Sequence, residues 1–328
     1  MEHPLILASH NTTLSGSISA CRAFTLSVVI MNKSTLFALL FSTAACSSIL
    51  VGADVISSRN MEIDGVSLHY LTSGRGAALI LLHGYTQTSL MWKPILPTLS
   101  ERFTVVAPDL PGIGDSSIPS NGLDLTTAAI RIHGLARALG FQKVELVGHD
   151  IGLMVAYAYA AQFPDEVAKL VVMDAFLPGI GGWEAAYDSP NYWHFRFNGP
   201  TPEELVRGRE KIYFDYFWNS FAADKNHSIP VAERQAYIAA YSRPGRMRAG
   251  WGYFVSFPQA AKDFPRFAQH KLTMPVLSIG GDKSLGEALG QQMKLVASNV
   301  TVVVIRNSGH WVMEEQPGET TNALLKFL

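Results

Sequence analysis

Val147-Gly148-His149-Asp150-Ile151-Gly152 lies between an apolar run, residues 144–147, and a small-residue stretch that begins Gly152-Leu153-Met154-Val155-Ala156. A buried strand, a glycine-flanked turn and a helix in that order form a nucleophile elbow, whose strained backbone lifts one side chain above the sheet edge. The residue at the tip is Asp150, where serine is usual. A carboxylate attacks an alkyl carbon and leaves an ester on the protein, which water must then hydrolyse. An aspartate after a strand is also a common helix N-cap, so the motif needs support from elsewhere in the chain.

Three further segments supply it. Ala78-Leu79-Ile80-Leu81-Leu82 reads as a buried strand ending in His83-Gly84-Tyr85-Thr86-Gln87, a loop suited to an oxyanion hole. Residues 103–107 form a second strand, followed by Pro108-Asp109-Leu110-Pro111-Gly112-Ile113-Gly114-Asp115-Ser116. Near the C-terminus, residues 301–305 run into Asn307-Ser308-Gly309-His310-Trp311. Nucleophile before histidine, with an acid between them, is the chain order of the α/β-hydrolase fold. The expected fold is therefore α/β, a mostly parallel sheet with a helical cap.

The rest of the pattern agrees. Residues 62–70 suggest a hairpin with an Asp64-Gly65 turn. Strands near 78–82, 103–107, 144–147, 169–173, 275–280 and 300–305 alternate with helical stretches. The alternation stops between about Phe176 and Met274, a stretch rich in Trp, Tyr, Phe and Pro that reads as a helical cap with helices over 203–217 and 231–241. The expected organisation is a leader over 1–53, hydrolase core over 54–175, cap over 176–274 and core again over 275–328.

Composition narrows the function classes. Of 328 residues, 48% are hydrophobic and 16% charged, which excludes a disordered chain. A formal charge of −1 leaves no electrostatic footprint for nucleic acid. Cys21 and Cys46 are the only cysteines, so no thiol nucleophile, zinc-thiolate site or disulfide framework is expected in the hydrolase region. No cofactor and no metal are expected, and a homodimer is left open. Met31-Asn32-Lys33 precedes the apolar run 34–41, and Val51-Gly52-Ala53 fits a signal-peptidase site. A secretory signal starting at Met31, with export to the periplasm or medium and no membrane span in the mature form, is the expectation. Cys46 after Thr43-Ala44-Ala45 narrowly misses a lipoprotein site.

His310 is the expected base that activates water against the ester. His83 and His149 are expected to hold the flanking turns. The main-chain N–H groups of Tyr85 and Ile151 are expected to line the oxyanion hole, their side chains walling the pocket. Two strand ends carry an acid that could partner His310, Asp174 after Leu170-Val171-Val172-Met173 and Asp282 after Ile279-Gly280-Gly281. Spacing does not choose between them.

The chain resembles the Cif-type group of secreted bacterial epoxide hydrolases, with fluoroacetate dehalogenases as cousins, from about Glu62 to Leu328. The resemblance is carried by His83-Gly84-Tyr85-Thr86-Gln87-Thr88 with Trp92, and by His149-Asp150-Ile151-Gly152. In the cap it is carried by Trp193-His194-Phe195-x-Phe197 and Ala240-Tyr241-Ser242-x-Pro244. It implies that His194 and Tyr241 bind the epoxide oxygen and that the acid is Asp174. The chain departs by carrying aspartate where Cif-type members can have glutamate, and by having Asp282 where they lack an acid. Fluoroacetate dehalogenases place arginines just after the nucleophile to hold a carboxylate; here those positions are Ile151 and Met154. The implied function is opening of a small-molecule epoxide to a diol. A haloacid or haloalkane dehalogenase and a non-catalytic binding protein are the alternatives.

Overall fold

Asp64 and Gly65 both take positive φ and close a tight turn between β1 (Ser57–Ile63) and β2 (Val66–Ser73). The hairpin begins earlier than the apolar pattern suggested, because Ser58, Arg59 and Asn60 are polar and exposed on a sheet edge. The computed structural model describes residues 56–328; the expected signal segment and both cysteines lie outside the described residues.

The remaining strands are β3 (Ala77–Leu82), β4 (Phe103–Pro108), β5 (Val144–His149), β6 (Val167–Met173), β7 (Val276–Gly281) and β8 (Val300–Ile305). They form one sheet in the order β1-β2-β4-β3-β5-β6-β7-β8, antiparallel only through β1 and β2. Central strands are apolar because both faces are covered; Leu79 to Leu82 and Leu170 to Met173 are fully buried. Before the elbow lie α1 (Leu96–Ser100) and α2 (Leu125–Ala138), and α3 (Ile151–Gln162) follows it. α3 is buried from Ile151 to Ala160 on every side, as expected of a helix pressed against the middle of a sheet.

Between β6 and β7 the chain forms α4 (Trp183–Asp188), a 3-10 turn (Pro190–Phe195), α5 (Pro200–Val206), α6 (Glu210–Ser220), α7 (Val231–Tyr241), α8 (Arg246–Val255) and α9 (Phe257–Phe267). The helix expected over 203–217 is two helices, broken where Gly208 takes φ +74. Aromatic rings rather than aliphatic chains fill this layer. Tyr85 of the core meets Phe214, Phe217, Tyr241 and Phe254 edge-on at centroid distances of 4.6 to 6.1 Å. The chain ends with α10 (Ala288–Val296), α11 (Val312–Glu315) and α12 (Pro317–Phe327). Among the described residues no helix is long and apolar enough to cross a membrane.

Packing at the elbow leaves no room for a side chain at Gly152. A Cβ on Gly152 would lie 2.5 Å from the carbonyl oxygens of Leu82 and His83, so α3 could not start against β3 with any larger residue. Gly152→Ala is expected to destabilise the fold by about 1–3 kcal/mol through overpacking. Gly318→Ala, where nothing lies within 4 Å, is expected to be neutral or stabilising by up to about 1 kcal/mol, as alanine is the better helix former. Urea midpoints of the two variants against the parent check this; equal midpoints would refute it.

Candidate active site

Four strands deliver the site residues to one edge of the sheet. Tyr85 follows β3, Asp150 follows β5, Asp174 follows β6 and His310 follows β8. Positive φ at non-glycine residues concentrates here: Thr86 at 66°, Asp150 at 53°, Asp174 at 46° and Asn307 at 51°. Each costs on the order of 1–3 kcal/mol, and such strain persists only where surrounding structure over-determines it. Asp150 heads α3 yet makes no side-chain capping bond. Its carboxylate is free for other partners, which disposes of the helix-cap explanation.

The partners are on the polar side of the elbow. Asp150 Oδ1 accepts the main-chain N–H of Tyr85 at 2.7 Å. Asp150 Oδ2 faces His310 Nε2 at 3.7 Å, an ion-pair distance longer than a hydrogen bond. The other ring nitrogen, His310 Nδ1, lies 3.0 Å from Asp174 Oδ1. The Asp174 side chain is wholly buried, and those of His310 and Asp150 are 13% and 20% exposed. Asp174 also accepts from Gly281 N at 2.8 Å and from the Ser284 hydroxyl at 2.6 Å. Ser284 carried no motif, so only the fold could find it.

Asp282 does not share this line. Its carboxylate accepts Ser308 N at 3.1 Å and pairs with Lys283 at 3.3 Å. It steadies the start of the histidine loop from outside. Two histidines brace the turns: His83 Nε2 accepts Leu110 N at 2.9 Å, and His149 Nε2 lies 2.8 Å from the His310 carbonyl. Ile151 opens α3, so its N–H is one of the first-turn groups with no helical partner.

A cavity of about 70 Å³ opens over Asp150 and His310. Its walls include Met154, Phe176, Trp183, Tyr192, His194 and Phe257, and no lysine or arginine lines it. The sequence-expected residues divide. His194 lines the cavity; the side chains of Tyr85, Ile151 and Tyr241 do not. The expected wall role of Tyr85 and Ile151 is corrected: the Tyr85 ring belongs to the aromatic layer, its hydroxyl 3.3 Å from that of Tyr213, and Ile151 is fully buried in the core. Tyr241 donates to the Gln87 carbonyl at 3.3 Å. Tyr192, which sequence reasoning passed over as one more cap aromatic, stands in the wall instead.

Protonation follows from these surroundings. Burial alone would lower the His310 pKa; its bond to Asp174 and the charges of Asp174 and Asp150 outweigh that and raise it above the ordinary histidine value. His194 is pushed down to about 3 by burial and by the nearby His310 charge, so it is neutral, and its Nδ1 has no protein partner. Burial lifts Tyr241 well above the usual phenol range, keeping its O–H as a donor.

Among the described residues one group, His69, Asp109 and Asp115, brings metal-type ligand atoms within 4.8 Å of one another. Its atoms are already engaged. Asp109 Oδ2 lies 2.8 Å from His69 Nδ1 and accepts Asp115 N, Asp109 Oδ1 accepts Ser89 N, and Asp115 pairs with Arg243. The cluster fastens the loop after β4 rather than offering open ligands.

Comparison with known proteins agrees with this geometry. Residues 77–317 match the family model described as alpha/beta hydrolase fold. The chain is 34% identical over 281 residues to a soluble epoxide hydrolase of Corynebacterium sp. (strain C12), covering 83% of this chain and 97% of that protein. It is 27% identical to a fluoroacetate dehalogenase of Burkholderia sp., over 82% of this chain and 93% of that one. The crystal structure of the Cif epoxide hydrolase from Acinetobacter nosocomialis superposes with a TM-score of 0.77 at 26% identity, over 83% of this chain and 88% of that one. With an aspartate at the elbow, an acid-backed histidine facing it and an epoxide hydrolase among its relatives, the chain belongs to the epoxide hydrolase family of the α/β-hydrolase fold, a family related to fluoroacetate dehalogenase.

Proposed function

We propose that the enzyme opens a compact, uncharged epoxide through an ester on Asp150 and then hydrolyses that ester to a vicinal diol. The observation that carries this reading is the division of labour between the two Asp150 oxygens. Oδ1 is held by the Tyr85 N–H, so Oδ2, on the His310 side, is the oxygen left to attack. Attack forms the Oδ2–carbon bond, and the epoxide carbon–oxygen bond breaks. Oδ1 then becomes the ester carbonyl oxygen, already seated where the Tyr85 and Ile151 N–H groups can receive the charge when water adds. One such donor contributes about 3 kcal/mol to a transition state.

Charge coupling times the second step. While Asp150 is ionised its charge helps keep the His310 pKa high. Alkylation removes that charge, the His310 pKa falls, and the neutral imidazole takes a proton from water as the water attacks the ester carbonyl. Asp174 holds the ring through Nδ1 and stabilises the imidazolium that results. On collapse the departing ester oxygen takes the proton from His310. The proton left on the Asp150 carboxyl restores the cap donor that protonated the epoxide oxygen, so the Asp150 carboxylate and the diol result.

The leaving oxygen needs a donor. His194 is neutral, lines the cavity and has an unpartnered ring nitrogen. Tyr241 is the second donor that the Cif-type resemblance implies; it lies outside the cavity and donates to the Gln87 carbonyl, so in this role its side chain swings into the cavity when substrate binds. The substrate is uncharged because no lysine or arginine lines the walls to hold an anion: Met154 stands in the wall and Ile151 is buried outside it. A haloacid would leave its carboxylate without a partner, at a cost of several kcal/mol on burial.

Three experiments test the reading. His310→Gln is expected to accumulate an adduct on the peptide bearing Asp150. In heavy-oxygen water, a single turnover of the parent enzyme is expected to label the Asp150 carboxylate and not the diol. Label appearing in the diol alone, or halide release from fluoroacetate at a rate rivalling epoxide opening, would sink it.

Asp174→Asn is expected to slow ester hydrolysis by on the order of a hundredfold or more, in line with loss of acid–base catalysis. The variant loses groups that raise the His310 pKa, so the acid limb of its hydrolysis profile shifts to lower pH. Asp282→Asn is expected to leave that limb in place. The opposite pattern in stopped-flow pH profiles would move the acid to Asp282.

Tyr241→Phe keeps the ring and removes the donor. Ring opening is expected to fall by about ten- to a hundredfold in this variant, with His194→Phe falling further, as general-acid contributions reach about 10²–10⁴. Ring opening at the parent rate in Tyr241→Phe would assign the tyrosine to cap packing alone.

A further inference from the structure

Outside the reacting groups, one half-buried carboxylate gathers main-chain donors from two parts of the molecule. Glu315 Oε1 accepts Gly309 N at 3.0 Å and Trp311 N at 3.2 Å, the two residues that flank His310. Its other oxygen, Oε2, accepts Ala223 N at 2.7 Å, just past the end of α6. A second bond runs beside it, from His310 N to the Phe221 carbonyl at 2.8 Å. The fit between the strips is close, since a Cβ on Gly309 would lie 2.6 Å from Ala223 N. Phe221 also lines the cavity, its ring 6.3 Å from that of His310. One turn of the cap therefore touches both the substrate space and the backbone of the proposed base.

We propose that Glu315 is a positioning residue that staples the cap turn 221–223 to the His310 loop, so that seating of the cap over substrate sets the imidazole for attack on the ester. The proposal rests on the reading of Asp150 as the alkylated nucleophile. Its consequence is selective. His310 acts as a base only on the ester, so loosening the staple slows ester hydrolysis and spares ring opening. A displacement on the scale of 1 Å suffices, since such misplacement costs about a hundredfold in well-oriented reactions.

The two carboxylate oxygens make the test discriminating. Glu315→Gln retains one acceptor oxygen for Gly309 and Trp311, but turns its NH2 toward the Ala223 N–H, breaking the cap side alone. Glu315→Ala breaks both. Single-turnover mixing with an epoxide such as styrene oxide resolves formation and decay of the Asp150 adduct, and circular dichroism with thermal unfolding checks folding. In Glu315→Gln the plateau rate of adduct decay is expected to fall about tenfold, and in Glu315→Ala about a hundredfold, with adduct formation within about twofold of the parent. Loss of the Glu315 charge by itself would move the acid limb of the decay profile without lowering its plateau. A parental plateau in Glu315→Gln, or equal slowing of formation and decay, overturns the staple. His310→Gln is run alongside. An adduct there with parental decay in the Glu315 variants overturns the staple alone, whereas no adduct there overturns the ester reading beneath it.

Discussion

The demand that shapes this molecule is to hold an ionised carboxylate 3.7 Å from an imidazole without letting the two collapse onto each other. Each is tied from behind. Tyr85 N–H pulls one Asp150 oxygen toward the β3 loop, while Asp174 holds the far side of the His310 ring. The gap between them is where chemistry can happen. It exists because parallel strands deliver their C-terminal ends side by side, and because the residues at those ends accept strained backbone angles to point inward.

The route from Asp174 to His310 illustrates the cost. β7 lies between β6 and β8, so the Asp174 carboxylate must reach past the end of a whole strand. It does so at Gly281, which donates its N–H as the carboxylate passes, and Ser284 donates from the following turn. A buried carboxylate needs such donors, since an unpaired one would be strongly disfavoured. With two donors and the imidazole it is satisfied in place, and the His310 ring is oriented by a buried group held on three sides.

The cap adds a different kind of control. Its interior is aromatic, and aromatic contacts fix orientation through edge-to-face geometry while leaving few polar atoms near the cavity. The polar side chains that line it are few enough to be read individually: Asp150, Asp174, His310, Ser284, Tyr192 and His194. A cavity of that kind suits a substrate whose only reactive handle is a strained ring. Where cap and core meet at the histidine loop the contact is polar, through Glu315 and the Phe221 carbonyl.

What could be read from the sequence alone was whatever local pattern encodes. Buried parallel strands are continuous apolar runs, and turns need glycine or aspartate, so the parallel strands and the elbow at Asp150 were legible, while their order in the sheet was not. His310 was legible because a histidine after the last strand has a fixed place in this fold. Choosing Asp174 over Asp282 was beyond spacing, since both follow apolar strands; what separates them is direction, the carboxylate of Asp174, a residue at φ 46°, lying 3.0 Å from His310 Nδ1 while that of Asp282 turns to Ser308 N and Lys283. The side-chain directions of Tyr241, Tyr85 and Tyr192 were equally hidden. In a layer built of rings, periodicity marks every aromatic as buried, and only packing in three dimensions decides which of them faces the cavity.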